Sequence, residues 1–415
     1  MFKLLNKQNQ RYLSSMSTSI VCVTIICLAS LLHNYVNEMG SPFSSYVALP
    51  IGQHQFDLLP SFPTTDLHNN LTNVTKLFSG FVWGSESVEY DENNDSLVMI
   101  DRYGFVITAH RNRDHYHDND NDHDQTWELD AKQHYVGPGR PLGFHLHKKD
   151  SLIICDSLKG LTQLNTTTGV LTILTNAITS PTPATPPLPF NYANDLDISK
   201  TGKVYFSSST EASVELNSQG YFDTMKSYLL SALRGHDGGQ LLLFDPTTLE
   251  TTSIVQNVAY ANGVALSEHE DFVLIVESSN ARVLRHWLVG EKAGTTDVFI
   301  DNLPAIPDGI TRSKFNSNSF WIAFVAPISP LPKLLAKFPK IRTLLSHHIL
   351  SLYSLVSKSF GGVMRVDSDG KMLQSYFNPL GDIISSTSSC KEGQSPTQLY
   401  CGNLLSSGVY LVNLE

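Results

Sequence analysis

Four polar side chains occupy one kind of place in this sequence. Glu86, Asn194, Asn262 and Asp308 each open a short apolar stretch, far apart along the chain. Two carboxylates and two amides offer only oxygen. Such a set suits a hard divalent cation, and calcium takes oxygen ligands at roughly 2.3–2.6 Å while keeping places for water or substrate. Magnesium demands tighter octahedral geometry, and zinc calls for His or Cys. Taken singly, Asn262-Gly263 and Asp308-Gly309 also read as ordinary turn dipeptides. Glu86 and Asn194 have no glycine after them, so the set points further than any member. A cation held this way would polarise an ester or lactone carbonyl and stabilise the developing oxyanion. Asp195, beside Asn194, is a candidate to orient a ligand or to take a proton from water. A turn or capping role is its plain alternative. Asp308 is a candidate ligand and equally a candidate base or nucleophile.

Residues so far apart can meet only if repeated elements bring them together. From about residue 71 the chain alternates short strands and turns. Ser96–Asp101, Ser151–Asp156, Val204–Ser208, Phe272–Glu277, Phe320–Phe324 and Gly408–Val412 are rich in Val, Ile, Leu, Phe or Tyr and bounded by Gly, Asp, Asn or Ser. Turns such as Asp101–Gly104, Ser199–Gly202 and Asp367–Gly370 end in glycine, which supplies positive φ to a tight hairpin. A larger unit opens at Gly84-Ser-Glu-Ser, Pro141-Leu-Gly, Asn194-Asp-Leu, Asn262-Gly-Val and Pro307-Asp-Gly, about 45 to 70 residues apart. Five openings plus the strands Leu399–Cys401 and Gly408–Val412 predict an all-β, six-bladed β-propeller, with residues 75–82 closing the ring. The starts of its innermost strands would face the axis, where the four oxygens could converge.

These motifs, with Gly139-Arg-Pro-Leu-Gly and Ala193-Asn-Asp-Leu-Asp, resemble the strictosidine synthase-like family from about Phe78 to the C-terminus. The resemblance extends to the calcium-dependent paraoxonases, gluconolactonases and diisopropyl fluorophosphatase-like hydrolases. It implies that Glu86, Asn194, Asn262 and Asp308 match the positions that hold catalytic calcium. Two departures matter. Ser385 stands where strictosidine synthase carries its catalytic Glu, with Asp382 the only acid nearby, which excludes the condensation chemistry. Leu142 stands where paraoxonases carry a His, so His-based activation of water is not reproduced; His145 and His147 lie further along. The function expected is therefore a calcium-dependent hydrolase of esters or lactones, arylesterase-like. The alternative is a non-catalytic binding or scaffold propeller with a structural calcium.

The chain carries a net charge of −10, with 41% hydrophobic and 16% charged residues. That acidity excludes a phosphate-backbone binder, and the content supports a large core. Lys3, Lys7 and Arg11 precede an apolar run within Ser17–Val36. We read it as a transmembrane signal anchor at 17–36, after a cytoplasmic tail at 1–16 and before a stalk at 37–70 and the propeller at 71–415. A cleaved signal peptide is the alternative. The expected protein is single-pass and type II, with its propeller in the lumen of the endoplasmic reticulum or outside the plasma membrane. Sequons at Asn70, Asn73, Asn94 and Asn165 agree with that side. Cys390 and Cys401 could form a disulfide there, and Cys155 reads as a buried thiol. Three stretches break the repeat: a His/Asp-rich run at 110–124, a Pro/Thr loop at 180–189, and residues 325–356. The last mixes Lys333, Lys337, Lys340 and Arg342 with Leu and Phe. It suits packed core or a lid leaning on a membrane, above a pocket for a small lipophilic substrate.

Overall fold

The computed structural model describes residues 51, 56–57, 67–111, 127–130, 133–180, 182, 184–235 and 238–414. The expected anchor at 17–36 and nearly all of the His/Asp-rich run lie outside these residues. Among the described residues no helix is long and apolar enough to cross a membrane.

Among the described residues, six antiparallel sheets follow one another along the chain, five of four strands and the first of five. Their innermost strands begin at Val88, Pro141, Ala193, Ala261, Ala305 and Thr387. Each inner strand touches the inner strands before and after it, and that of Thr387–Glu392 touches both Ala305–Arg312 and Val88–Asp91. The ring is therefore closed, and the fold is an all-β six-bladed propeller. Its core is divided between the blades. Leu274 and Val276 of the fourth blade pack on Phe320 and Ile322 of the fifth, and Val98 and Ile100 of the first pack on Phe144 and Ile154 of the second. Central strands thus meet a neighbour on both faces, which is why Ser151–Asp156 and Phe272–Glu277 are buried throughout instead of alternating.

Closure uses both ends of the ring. Val74–Leu77 pairs antiparallel with the last strand, Val74 opposite Val412 and Leu77 opposite Val409. In that blade Cys390 lies directly opposite Cys401, and the two are disulfide-bonded. Cys155 is a buried free thiol. The sixth inner strand, Thr387–Glu392, was not among the strands read from sequence. Its residues, Thr-Ser-Ser-Cys-Lys-Glu, carry almost no apolar pattern.

Two helical insertions interrupt blades between their second and third strands. The first holds helix α1, Thr224–Arg234, begun by the Asp223 carboxylate accepting from the Met225 amide at 2.8 Å and ended by left-handed Gly235. The second holds α2, Leu331–Leu335, α3, Pro339–Ser346, and α4, Ile349–Val356. In an up-and-down blade that connection lies at the end where the inner strand starts, so both insertions cap the face carrying the four predicted oxygens. Leu233 of α1 packs on Leu345 and Ile349. The buried Arg342 guanidinium donates to Leu233 O at 2.6 Å and ties the two insertions together.

Candidate metal centre at the propeller hub

The inner strands share one irregularity. Pairing with the second strand slips between Pro141 and Phe144, Ala193 and Leu196, Ala261 and Val264, Pro307 and Ile310, and Thr387 and Cys390. Two residues per strand leave the ladder there, as in a bulge, and their side chains are re-aimed. The first of each pair is Leu142, Asn194, Asn262, Asp308 and Ser388. Glu86, just ahead of Val88–Asp91, holds the corresponding place in the first blade.

Glu86, Asn194, Asn262 and Asp308 are all buried. Asn262 Nδ2 donates to Asp308 Oδ1 and, at 3.2 Å, to Ser278 Oγ. Asn194 Nδ2 donates to Ser209 Oγ at 2.9 Å. Both amides thus turn their nitrogens toward protein acceptors and leave their oxygens over. Asn194 Oδ1, Asn262 Oδ1 and Asp308 Oδ2 are buried with no hydrogen-bond partner. Burial, then the Asp308 charge, raises the Glu86 carboxyl well above its ordinary value. Burial also raises Asp308, against the Asn262 bond and with the Asp195 charge. Leaving buried acceptors unpaired costs about 1–3 kcal/mol each. A cation is the ligand that satisfies several acceptors at once, so the donor set fits the hard ion expected from sequence. Among the described residues no three His, Cys, Asp or Glu side chains gather to hold a metal, which leaves this amide–carboxylate set as the candidate centre.

The second residues of the slipped pairs are small because the next blade is close. A Cβ on Gly263 would meet Asp308 O and Ile310 N, and one on Gly309 would meet Ser388 O. Asp195 is the exception. Its Oδ2 accepts from the Val264 amide of the next blade at 3.1 Å, and burial raises its carboxyl. Ser388 was not foreseen. Its hydroxyl donates to Glu86 O at 2.7 Å and fixes the backbone of the candidate ligand.

An aromatic roof covers the hub. Tyr192, Tyr260, Leu142 and Val214 form one buried cluster, with Tyr228 of α1 packed against it. The Tyr260 hydroxyl donates to Tyr192 Oη at 2.8 Å, and the Tyr228 and Tyr260 rings lie 4.9 Å apart. Burial, joined by Tyr353 and Asp308, raises the Tyr228 phenol. Leu142, at the position where a His would mark a paraoxonase, belongs to this roof. No spacing in the sequence announces it, because its tyrosines come from a loop, a strand edge and a helix.

Three residues along the inner strands lies a second cluster. His145 Nδ1 and Glu89 Oε1 pair at 2.8 Å, and Lys391 Nζ pairs with Glu89 and approaches His145 Nδ1 at 3.4 Å. His145 is thus engaged in an ion network, while His147 is half-buried and outside it. Ser385 is half-buried and Asp382 is exposed, accepting from Asn378 Nδ2 at 2.8 Å. All four sequon asparagines are exposed. Asn70 Nδ2 is committed to Ser375 O, and Asn94 Nδ2 to Asp91 Oδ2.

Comparison with known proteins agrees with this architecture. The fold has the form of a gluconolactonase from Xanthomonas campestris, with a TM-score of 0.54 at 15% identity, covering 90% of this chain and 99% of that one. A luciferin-regenerating enzyme gives a TM-score of 0.51 at 12% identity, over 82% of this chain and 94% of the other. The molecule is thus a six-bladed propeller with a polar hub site, and sequence narrows that class. The strictosidine synthase family model matches residues 194–291. The adipocyte plasma membrane-associated protein of Rattus norvegicus is 30% identical over 284 residues, 67% of this chain and 70% of its own length. The strictosidine synthase-like 3 protein of Arabidopsis thaliana is 29% identical over 66% of this chain and 67% of its own length. The chain belongs to the strictosidine synthase-like family.

Proposed function

We propose that this protein is a membrane-anchored, calcium-dependent hydrolase of esters or lactones, arylesterase-like, working at the hub. The observation that carries the reading is the trio of buried, partnerless oxygens on Asn194, Asn262 and Asp308 beside Glu86. Calcium bound there would supply Lewis-acid polarisation of a carbonyl and a template for its oxygen. The chain's residues do the rest. Ser209 and Ser278 hold the two amides with their oxygens presented. Asp308 keeps Oδ1 on Asn262 and leaves Oδ2 without a protein partner, the oxygen that would hold the cation or take a proton from an attacking water. Asp195, accepting from the Val264 amide, would act by tying the strand that carries Asn194 to the next blade. Tyr192, Tyr228 and Tyr260 exclude bulk water and offer an apolar wall to an aryl or alkyl group.

Membrane attachment would be double. The anchor at 17–36 is one part. The other is the cap formed by α2–α4, where Leu334 is 63% and Phe338 52% exposed. No acidic residue occurs between Asp308 and Asp367, so that surface carries only positive charge toward anionic lipid. Lys337 lies 5.1 Å over the ring of Phe56, a residue of the expected stalk. The name of the rat relative, which places that protein at the adipocyte plasma membrane, supports the same attachment.

The test is aryl acetate hydrolysis by the purified full chain with and without a chelator. Turnover should vanish on chelation. Glu86→Gln and Asp308→Asn should each lower it by about a hundredfold or more, the scale of a lost metal contribution of several kcal/mol. Unchanged turnover in either variant would overturn the reading. A melting temperature lowered by chelation, with no ester in a panel hydrolysed, would leave the binding-platform alternative in its place.

A further inference from the structure

Two arginines beside the hub are buried outside any ion pair among the described residues. Arg140 is 2% and Arg102 6% exposed. Arg140 Nη1 donates to Gly84 O at 3.2 Å. Arg102 packs its methylenes on the other side of Gly84, where an added Cβ would lie 3.3 Å from Arg102 Cδ. Both side chains therefore meet Gly84, two positions before Glu86, Arg140 through its guanidinium and Arg102 through its methylenes, and their charges act on one another. Among the described residues neither makes an ion pair, and Nε of each is buried without a hydrogen-bond partner. The Arg102 guanidinium is instead boxed by rings, 4.3 Å from Tyr221, 5.3 Å from Trp83 and 5.7 Å from Tyr103.

Buried charge is ordinarily paired, because desolvating an ion costs several kcal/mol that only a counter-charge recovers. Two cations held together raise that cost. Glu86 and Asp101 both exert a field on Arg140, yet neither forms an ion pair with it among the described residues, and Glu86 belongs to the hub set. Glu86 and Asp308 would be engaged by a hub cation, and Asp195 and Asp101 are committed to backbone amides. Neither guanidinium then has a carboxylate at ion-pair distance among the described residues. Rings around a guanidinium shield it from water and leave its edge for a planar or tetrahedral oxyanion.

We propose that Arg102 and Arg140 form an anion subsite next to the hub, which takes the carboxylate or phosphate of a small organic ligand whose apolar part lies along the tyrosine roof. Resting on the hub reading above, this narrows the substrate class to anionic esters or lactones and to the acids they release. It sets this pocket apart from one that binds neutral lipid esters, since a neutral ligand would leave both guanidinium groups unpaired.

The experiment uses the full chain, purified with calcium, and follows the melting temperature against phenylacetate, phenyl phosphate and the neutral phenylacetamide, all at one ionic strength set with chloride. Phenylacetate or phenyl phosphate should raise the melting temperature in a saturable way and phenylacetamide should not; the larger response identifies the group preferred. Arg102→Gln should weaken the apparent affinity by about tenfold or more, the worth of one charge-assisted hydrogen bond. Arg140→Gln should do at least as much. If Arg140→Gln does not fold, Arg102→Gln alone decides, because the Arg102 Nε has no hydrogen-bond partner among the described residues for the substitution to remove. Equal response to the anions and the amide, or an unaltered response in Arg102→Gln, overturns the proposal. Binding needs no turnover, so anion binding without ester hydrolysis would sink the hydrolase reading and keep the subsite. Hydrolysis without anion binding would do the reverse.

Discussion

The two rings of side chains along the hub are built from the same strands and solve opposite problems. At the capped end, Asp308 accepts from the Asn262 amide, its charge acts on Glu86, and burial raises both carboxyls. Three residues further along, Glu89 meets Lys391 and His145. Burial pushes its carboxyl up, but Lys391 and then His145 overcome this and lower it to about 2. In one ring no Lys, Arg or His forms an ion pair with the carboxyls among the described residues. The other carries its own on a lysine side chain. Equally buried acids in one channel therefore differ in whether the chain supplies the counter-charge, and that difference marks the capped end as a place for a ligand and the far end as structure.

The largest effect should come from removing the built-in cation. Lys391→Met strands Glu89 and His145 in the channel and should cost about 3–5 kcal/mol in urea unfolding. Calcium affinity at the hub, measured by calorimetry, should stay within a few-fold of the parent. A variant as stable as the parent would erase the contrast between the rings.

The opposite outcome is expected at the capped end. Asp308→Asn should abolish the stabilisation that calcium gives, which for the parent is about 2.7 kcal/mol at a hundredfold excess over the dissociation constant. With chelator present, the variant should match the parent within about 1 kcal/mol, because the substitution removes a carboxyl that burial already disfavours. Loss of stability without calcium would show Asp308 to be a structural group.

The smallest effect is a pH profile. The Glu89 carboxyl is lowered from its ordinary 4.5 to about 2, so its contribution is complete above pH 4.5 and is lost as pH falls toward 2. For His145, burial and Lys391 act downward, yet the Glu89 pairing prevails and raises it above 6.5. Its contribution is complete below pH 6.5 and is lost as pH rises through the raised value. Melting temperature in chelator should decline on both flanks, and Lys391→Met should flatten the acid flank. An acid flank of the same slope in that variant would assign the loss to other carboxylates.

What could be read from the sequence follows from where information is local. Turn glycines such as Gly202 and Gly370 and the paired motifs at Asn194 and Asn262 are short-range, and they gave the propeller and the hub residues. The inner strand Thr387–Glu392 was missed because its role is backbone pairing and close approach, which Ser and Thr serve without an apolar pattern. Ser388 and the Lys391–Glu89 pair were missed for a different reason. Each joins residues 302 positions apart, a pairing no spacing rule addresses. The tyrosine roof and the arginines at Gly84 likewise arise only when loops from several blades meet.

The clasp that completes the last blade has a bearing on how the molecule is made. Val74–Leu77 is synthesised early, but its partner Val409–Asn413 comes at the far end of the chain. Until that partner leaves the ribosome, one edge of the ring stays open and the hub lacks a wall. Acquisition of a ligand-competent hub is thereby deferred to the final moments of synthesis, and a nascent chain halted short of residue 409 would expose two unpaired strand edges to quality control.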